Sequence, residues 1–309
     1  PSLYITWPGY DEVAHHSGPW TKDAFGTLKQ YERVIESIRE TIAHKAPRPY
    51  ELLILSDHGQ SFGATFLQRY GYTLKEFIEQ QLPHGTLVVE TAGGDDGTLG
   101  MTAMAGELEN IQEQQVGGGI GRATTRSVQN VIQRGVKSRG NGGETSDLAT
   151  NVTVCGSGNL AQVYFDLYPR KIKLGELEAA YPGLVDALVQ HEGIGFVVSY
   201  GDDGVPLVMG AGGVRNLHTG EVVGEDPLEP YGDVDLRAEQ VRRVADFPHA
   251  GDLMVNSTLY PDGTVAAMEE LVGNHGGMGG EQTDAFIFHA PDMEIPETKN
   301  SADVFAILN

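Results

Sequence analysis

One cysteine in 309 residues leaves no room for an internal disulfide or a thiolate metal cluster, and Cys155, at the end of an apolar stretch, reads as a small buried hydrophobe. Basic residues are scarce as well. Lys and Arg total 21 against 43 Asp and Glu, a formal charge of −22, so a nucleic-acid duplex or an anionic membrane surface is repelled. A small phosphorylated substrate stays compatible with that charge, because a bound cation inverts the field within its own site. No run of 18 or more apolar residues and no secretory signal pattern is present, so the chain as given is expected to be soluble. There is no internal repeat and no low-complexity tract. There is also no initiator Met: the sequence opens at Pro1 and enters the strand-like Leu3-Tyr4-Ile5-Thr6 at once, the start expected of a truncated or processed chain.

What is present suffices for a large core. Hydrophobic residues make up 40% of the chain and aromatics 8%, which suits one large domain or two small ones. Over residues 1–115 strand and helix signals alternate, which predicts a largely parallel sheet with helices on both faces. Residues 21–45 carry Phe25, Leu28, Tyr31, Ile35, Ile38 and Ile42 on one helical stripe, ended by Pro47 and Pro49. Residues 51–55 (ELLIL) read as a buried strand, Thr73 with Glu76 as a capping box opening a helix through Gln81, and residues 86–90 as a further strand. Helices are expected at 103–115 and 125–137 between glycine-rich stretches at 93–97, 117–121 and 140–143.

From Asn151 the texture becomes short β segments at 152–155, 162–165, 195–200 and 205–209. A helix over 174–190 interrupts them, with Pro182 set to kink or split it. A helix at 235–245 and strands at 253–255 and 285–288 return to the earlier pattern. The division this suggests is a metal-binding α/β part at 1–145, a β-rich insert or cap at 146–232, and a return to the α/β sheet at 233–309.

Three separated segments carry ligands suited to a dinuclear hydrolytic site. In Tyr10-Asp11-Glu12-Val13-Ala14-His15-His16-Ser17-Gly18-Pro19, Asp11 and His15 are four apart and meet on one face of a helical turn, a carboxylate–imidazole pair fit for zinc or manganese. Ser56-Asp57-His58-Gly59 follows the apolar run 51–55, where strand ends of α/β sheets gather ligands, and Gly59 would let the backbone approach a metal. Gly273-Asn274-His275-Gly276-Gly277 places His275 on a loop with little apolar surface. Each also has a plain structural reading: an incidental loop pair, a strand-end pair and a hydrogen-bonded turn histidine.

Taken together and in order, these motifs resemble those of the alkaline phosphatase superfamily, in its type I phosphodiesterase and nucleotide pyrophosphatase kind. Asp11, His15, Gly18 and Pro19 match its Asp-x-x-Gly-His-x-x-Gly-Pro, Ser56 to Gly59 its Ser-Asp-His-Gly, and Gly273 to Gly276 its late Gly-x-His-Gly. Ala14 stands where the family has Gly, and the spare histidine falls at His16 rather than at Ser17. More narrowly, the chain is similar to a bacterial membrane-associated branch with a holin-like segment before the hydrolase domain. The resemblance implies an alkaline-phosphatase-like α/β fold with a mixed, mostly parallel sheet, and two divalent cations, zinc in most relatives. Asp11, His15 and His275 would hold one, and Asp57 with His58 part of the other. It further implies a Thr or Ser nucleophile and an early Asp upstream of Tyr4, and membrane association only through such a preceding segment.

Two rival readings remain. One is a metal- or ligand-binding module without catalysis. The other is a nicotinamide-dependent oxidoreductase, resting on Gly156-Ser157-Gly158-Asn159-Leu160-Ala161, although the β-prone residues 162–168 and Pro169 that follow favour a turn between strands over a dinucleotide helix. Gly117 to Gly121 lacks the Lys-Ser/Thr ending of a P-loop, and Asp95-Asp96-Gly97-Thr98 falls after the N-terminal metal motifs, where a nucleophile loop is not expected. His249 and His289 carry no firm assignment.

Overall fold

The computed structural model of the protein describes residues 2–92 and 151–308. The helices expected at 103–115 and 125–137 lie outside the described residues, as do the glycine-rich stretches beside them.

In chain order the first elements are α1 (Gly9–Ser17), α2 (Lys22–His44), β1 (Ile54–Leu55), β2 (Ser61–Phe62), α3 (Phe66–Tyr70), α4 (Leu74–Gln81) and β3 (Leu87–Ala92). The second half begins with β4 (Asn151–Ser157), β5 (Leu160–Phe165), α5 (Leu174–Ala180), α6 (Leu184–Val189), β6 (Ile194–Tyr200), β7 (Pro206–Gly210), β8 (Gly213–Asn216) and β9 (Val222–Gly224). It ends with α7 (Val234–Ala245), β10 (Leu253–Ser257), β11 (Gly273–Asn274), β12 (Ile287–Phe288) and α8 (Ser301–Leu308). No helix among the described residues is long and apolar enough to cross a membrane.

Eight strands form one sheet in the order β3-β4-β5-β10-β6-β7-β8-β9. Only the β3–β4 pairing is parallel, and the other six are antiparallel, so the expectation of a mostly parallel sheet is corrected. The reason lies in the connections. β4 and β5 are joined by the two residues Gly158-Asn159, and β7 and β8 by a turn as short; hairpins of that length can link only antiparallel neighbours. The strands of residues 151–224 share this sheet with β3 and β10. The apolar run 51–55, expected as a buried strand, yields only the two-residue β1, which pairs antiparallel with β12 apart from the main sheet. Residues 3–6, which read as a strand, carry no regular structure and are exposed, and no strand among the described residues pairs with them.

Period-two alternation divides the core between the two faces of the sheet. Val152, Val154, Val163, Val197, Leu253 and Val255 turn to one face, where Leu74 and Ile78 of α4, Leu177 of α5 and Leu184 and Leu188 of α6 cover them. Phe196, Val198, Val208 and Met254 turn to the other and meet Ala238, Val241 and Ala245 of α7. Helices therefore do lie on both faces. The capping box is present in α4, where Thr73 accepts from the Glu76 amide and the Glu76 carboxylate accepts from the Thr73 amide. Pro182 splits its helix as expected, into α5 and α6. In α2 the stripe from Phe25 to Ile42 is only partly covered, and Ala24 is the one residue of that helix fully buried.

Leu253 lies fully buried on the central β10, whereas Val223 on the edge strand β9 is 68% exposed. Leu253→Ala should therefore cost about 2–5 kcal/mol of stability, by lost transfer energy plus a cavity. Val223→Ala should stay within roughly 0.5 kcal/mol. Urea unfolding of the two variants beside the parent checks the difference.

Candidate metal centre

The centre is assembled by α1 and by a second, two-stranded sheet rather than by the rim of the main one. Asp11 and Glu12 in the first turn of α1, and His15 and His16 in its last, complement the helix dipole, and Gly18 ends the helix with its N–H bonded to the Ala14 carbonyl. The i, i+4 spacing puts Asp11 and His15 on the inner face. His16, one position on, is exposed.

β2 and β11 pair antiparallel, Phe62 opposite Gly273 and Ser61 opposite Asn274, which lays the loop of residues 57–60 alongside the loop that begins at His275. α1 seats on this pair: the Val272 amide donates to the His15 carbonyl (3.0 Å), and His15 Nδ1 lies 2.6 Å from the Gly273 carbonyl oxygen. A buried polar network holds the loop after β11. Asn256 Oδ1 accepts from the Met278 amide (2.8 Å), Asn159 Nδ2 donates to the Met278 carbonyl (2.7 Å), Gln282 Nε2 donates to the Gly279 carbonyl, and Ser61 Oγ does the same.

Three ligand atoms meet where these elements join. Asp11 Oδ2 is 3.4 Å from His15 Nε2 and 3.6 Å from His275 Nε2, and the two nitrogens are 3.2 Å apart. The His58 ring stacks on His275 at 3.6 Å between centroids, and ligand atoms of Asp11, His58 and His275 all lie within 4.8 Å of one another. This half-buried Asp/His/His group can hold a metal ion.

The ring orientations suit that role. A carbonyl only accepts, so the Gly273 oxygen takes the proton of His15 Nδ1, and Nε2 is the nitrogen turned toward the group. His58 Nδ1 stands in the same relation to the Gly59 carbonyl, at 2.9 Å. Burial alone would push the Asp11 carboxyl up. Hydrogen bonds to His15 and His275, and the charge of both rings, outweigh it and hold the carboxyl well below its ordinary range. Asp11 is therefore an anion at neutral pH.

Of the five residues singled out in the sequence, Asp11, His15, His58 and His275 come together. Asp57 does not join them: its side chain is 80% exposed, against 26% for Asp11, and its Oδ1 lies 3.7 Å from the Nε2 of its own neighbour His58. Gly59 is needed for a different reason than the one expected. A Cβ there would stand 2.0 Å from the Glu281 carbonyl oxygen, so the close approach is to the loop after β11. His249 offers its carbonyl to Tyr164, and His289 is exposed beside the Ala290 carbonyl; neither belongs to the group.

Sequence reasoning missed Gln60, whose side-chain amide donates to Asp11 Oδ1. Its position directly after Ser-Asp-His-Gly was the only signal. It also missed what the Gly-x-Gly at Gly156 does. Gly158 and Asn159 form the tip of the β4–β5 hairpin, with no helix behind them to receive a pyrophosphate, which removes the structural basis of the nicotinamide reading. Gly158 adopts φ +58°, and a Cβ there would stand 1.7 Å from the His275 carbonyl oxygen. The hairpin tip thus backs the residue that supplies the late imidazole.

Compared with known proteins, the chain matches no family model, no curated protein and no solved structure.

Gly71, the C-cap of α3, has φ +80° with open space around it. Gly71→Ala should cost about 1–2 kcal/mol, the left-handed penalty alone. Gly158→Ala adds the collision with His275 and should cost clearly more, read from the urea midpoints of the two variants.

Proposed function

We propose that this protein is a metal-dependent hydrolase of phosphate esters whose cation sits among Asp11, His15, His58 and His275. The observation that carries the reading is the spacing of the ligand atoms. Donors about 2.0–2.1 Å from a tetrahedral zinc stand ~3.3 Å apart. The separations among Asp11 Oδ2, His15 Nε2 and His275 Nε2 are 3.2, 3.4 and 3.6 Å. One carboxylate and neutral imidazoles suit zinc or manganese rather than calcium, which takes oxygen ligands.

A divalent cation bound there would act as a Lewis acid on a phosphoryl oxygen and lower the pKa of a water or hydroxyl nucleophile. The chain's own residues supply the rest. Asp11 is held ionised, so it offers its charge without a proton to lose. His15 is oriented by the Gly273 carbonyl and His58 by the Gly59 carbonyl, so each Nε2 is presented without a rotamer search. The motifs that resemble the alkaline phosphatase superfamily point to phosphate esters and to zinc, and would give a second cation to Asp57 and His58, but the one open nitrogen of His58 here faces the first. A small phosphorylated molecule is the substrate this reading implies.

A second reading, a mononuclear metal-binding module without turnover, is favoured by one observation. Asp57, which would help hold the second cation, is largely exposed and stands beside only its own neighbour.

Zinc uptake by the purified chain, measured by mass spectrometry of the metal, should reach at least one ion per chain. His275→Ala should weaken it by more than the roughly 10–100-fold that residues behind the ligands are worth. Turnover of bis-p-nitrophenyl phosphate or p-nitrophenyl phosphate by the loaded protein, alone or joined to a segment carrying the Thr or Ser nucleophile that the resemblance implies, supports the hydrolase, and uptake without turnover in either form selects the binding module. A parent protein that takes up neither zinc nor manganese sinks both.

A further inference from the structure

Asp11 has two carboxylate oxygens, and they meet different surroundings. Oδ2 faces His15 and His275. Oδ1 accepts a hydrogen bond from Gln60 Nε2, which also reaches the main-chain oxygen of Asp11 at 3.4 Å. Gln60 is 8% exposed, and its own Oε1 is buried without a hydrogen-bond partner among the described residues. The amide cannot usefully turn over, because that would set Oε1 against an anionic carboxylate. The burial of an unmatched Oε1 is thus accepted in order to present a donor to Asp11.

The backbone reserves the space for this arrangement. Gln60 immediately precedes β2, beside Gly273 of β11. A Cβ on Gly273 would stand 3.0 Å from Gln60 Oε1 and 2.3 Å from the Ala14 carbonyl oxygen. Glycine at 273 therefore lets α1, β11 and the Gln60 side chain close on one another behind Asp11.

The chemical consequence concerns which cation fits. A carboxylate with both oxygens available can chelate, the mode common around large cations with six to eight oxygen ligands. A carboxylate with one oxygen engaged offers a single donor, as a four-coordinate site requires. We propose that Gln60 is a positioning residue that restricts Asp11 to one-oxygen coordination and so biases the centre toward a small, four-coordinate cation of the zinc class. This rests on the metal-binding reading above, but it assigns a role that reading does not need.

The test uses the full chain with zinc and with cobalt(II) as a spectroscopic stand-in, in the parent, Gln60→Met and Gln60→Glu. Methionine keeps the length and removes the donor. Glutamate keeps the shape and replaces the donor with an acceptor, and it carries the same test should the methionine variant misfold. The parent should show the intense visible absorption of tetrahedral cobalt(II). Both variants should bind zinc about 10–100-fold more weakly in competition with a chromophoric chelator. Their cobalt band should also weaken as Asp11 takes up two-oxygen coordination. Unchanged affinity and band would overturn the role of Gln60 while leaving the metal site standing. Weaker affinity with an unaltered cobalt band would also overturn it, since that is the mark of a purely structural residue. A parent that binds neither metal would overturn this inference together with the reading beneath it.

Discussion

The contact on which the centre depends is the seating of His15 on the backbone of β11. One carbonyl, that of Gly273, orients the ring through Nδ1, while the amide of Val272, just before β11, caps the His15 carbonyl. Helix α1 is thereby registered against the residue two places before His275. A one-residue slip of β11 against β2 would carry His275 to the other face and strip His15 of its acceptor together. The geometry of the ligand group is in this sense a consequence of backbone pairing, with the side chains following from it.

That pairing is weak by itself, since a two-residue ladder holds few hydrogen bonds and an isolated hairpin is marginal in water. Its support comes from the main sheet. The tip of the β4–β5 hairpin passes directly behind His275, and Asn159 and Asn256 reach from the sheet to the backbone at Met278. These amides are buried, so each bond they make avoids the penalty of an unsatisfied polar group as well as contributing its own energy. A rigid eight-stranded scaffold therefore fixes a loop rich in glycine that would otherwise have little reason to hold one shape.

The residues of the candidate group were far more legible in the sequence than the scaffold. Asp11 and His15 at i, i+4, the Asp-His pair after an apolar run and a histidine among glycines are local patterns, and chemistry that depends on local spacing survives without tertiary knowledge. Topology does not. The alternation of strands and helices over the first 115 residues suggested parallel order, yet it is the two-residue hairpins of the second half that set the sheet antiparallel, and β10 slots between β5 and β6 from far along the chain. Gln60 was invisible because its meaning comes from a partner 49 positions away, and Gly158 looked like a phosphate loop because close backbone approach demands glycine whatever the purpose. Asp57, expected to share a second cation with His58, is largely exposed and keeps its Oδ1 3.7 Å from His58 Nε2, outside the group formed by Asp11, His58 and His275.

Charge closes the argument about why such a group should exist in this chain. With a formal charge of −22, the protein gains nothing from burying another carboxylate, and burial by itself would drive Asp11 toward its neutral form. Its carboxylate stays ionised because two imidazole rings face it. Those rings meet each other nitrogen to nitrogen at 3.2 Å, a hydrogen-bonding distance, while His15 Nδ1 is engaged by the Gly273 carbonyl. A proton can tie one pair of these atoms at a time, whereas a single cation would meet the Asp11 oxygen and both nitrogens together, and that makes the group a candidate for holding a metal.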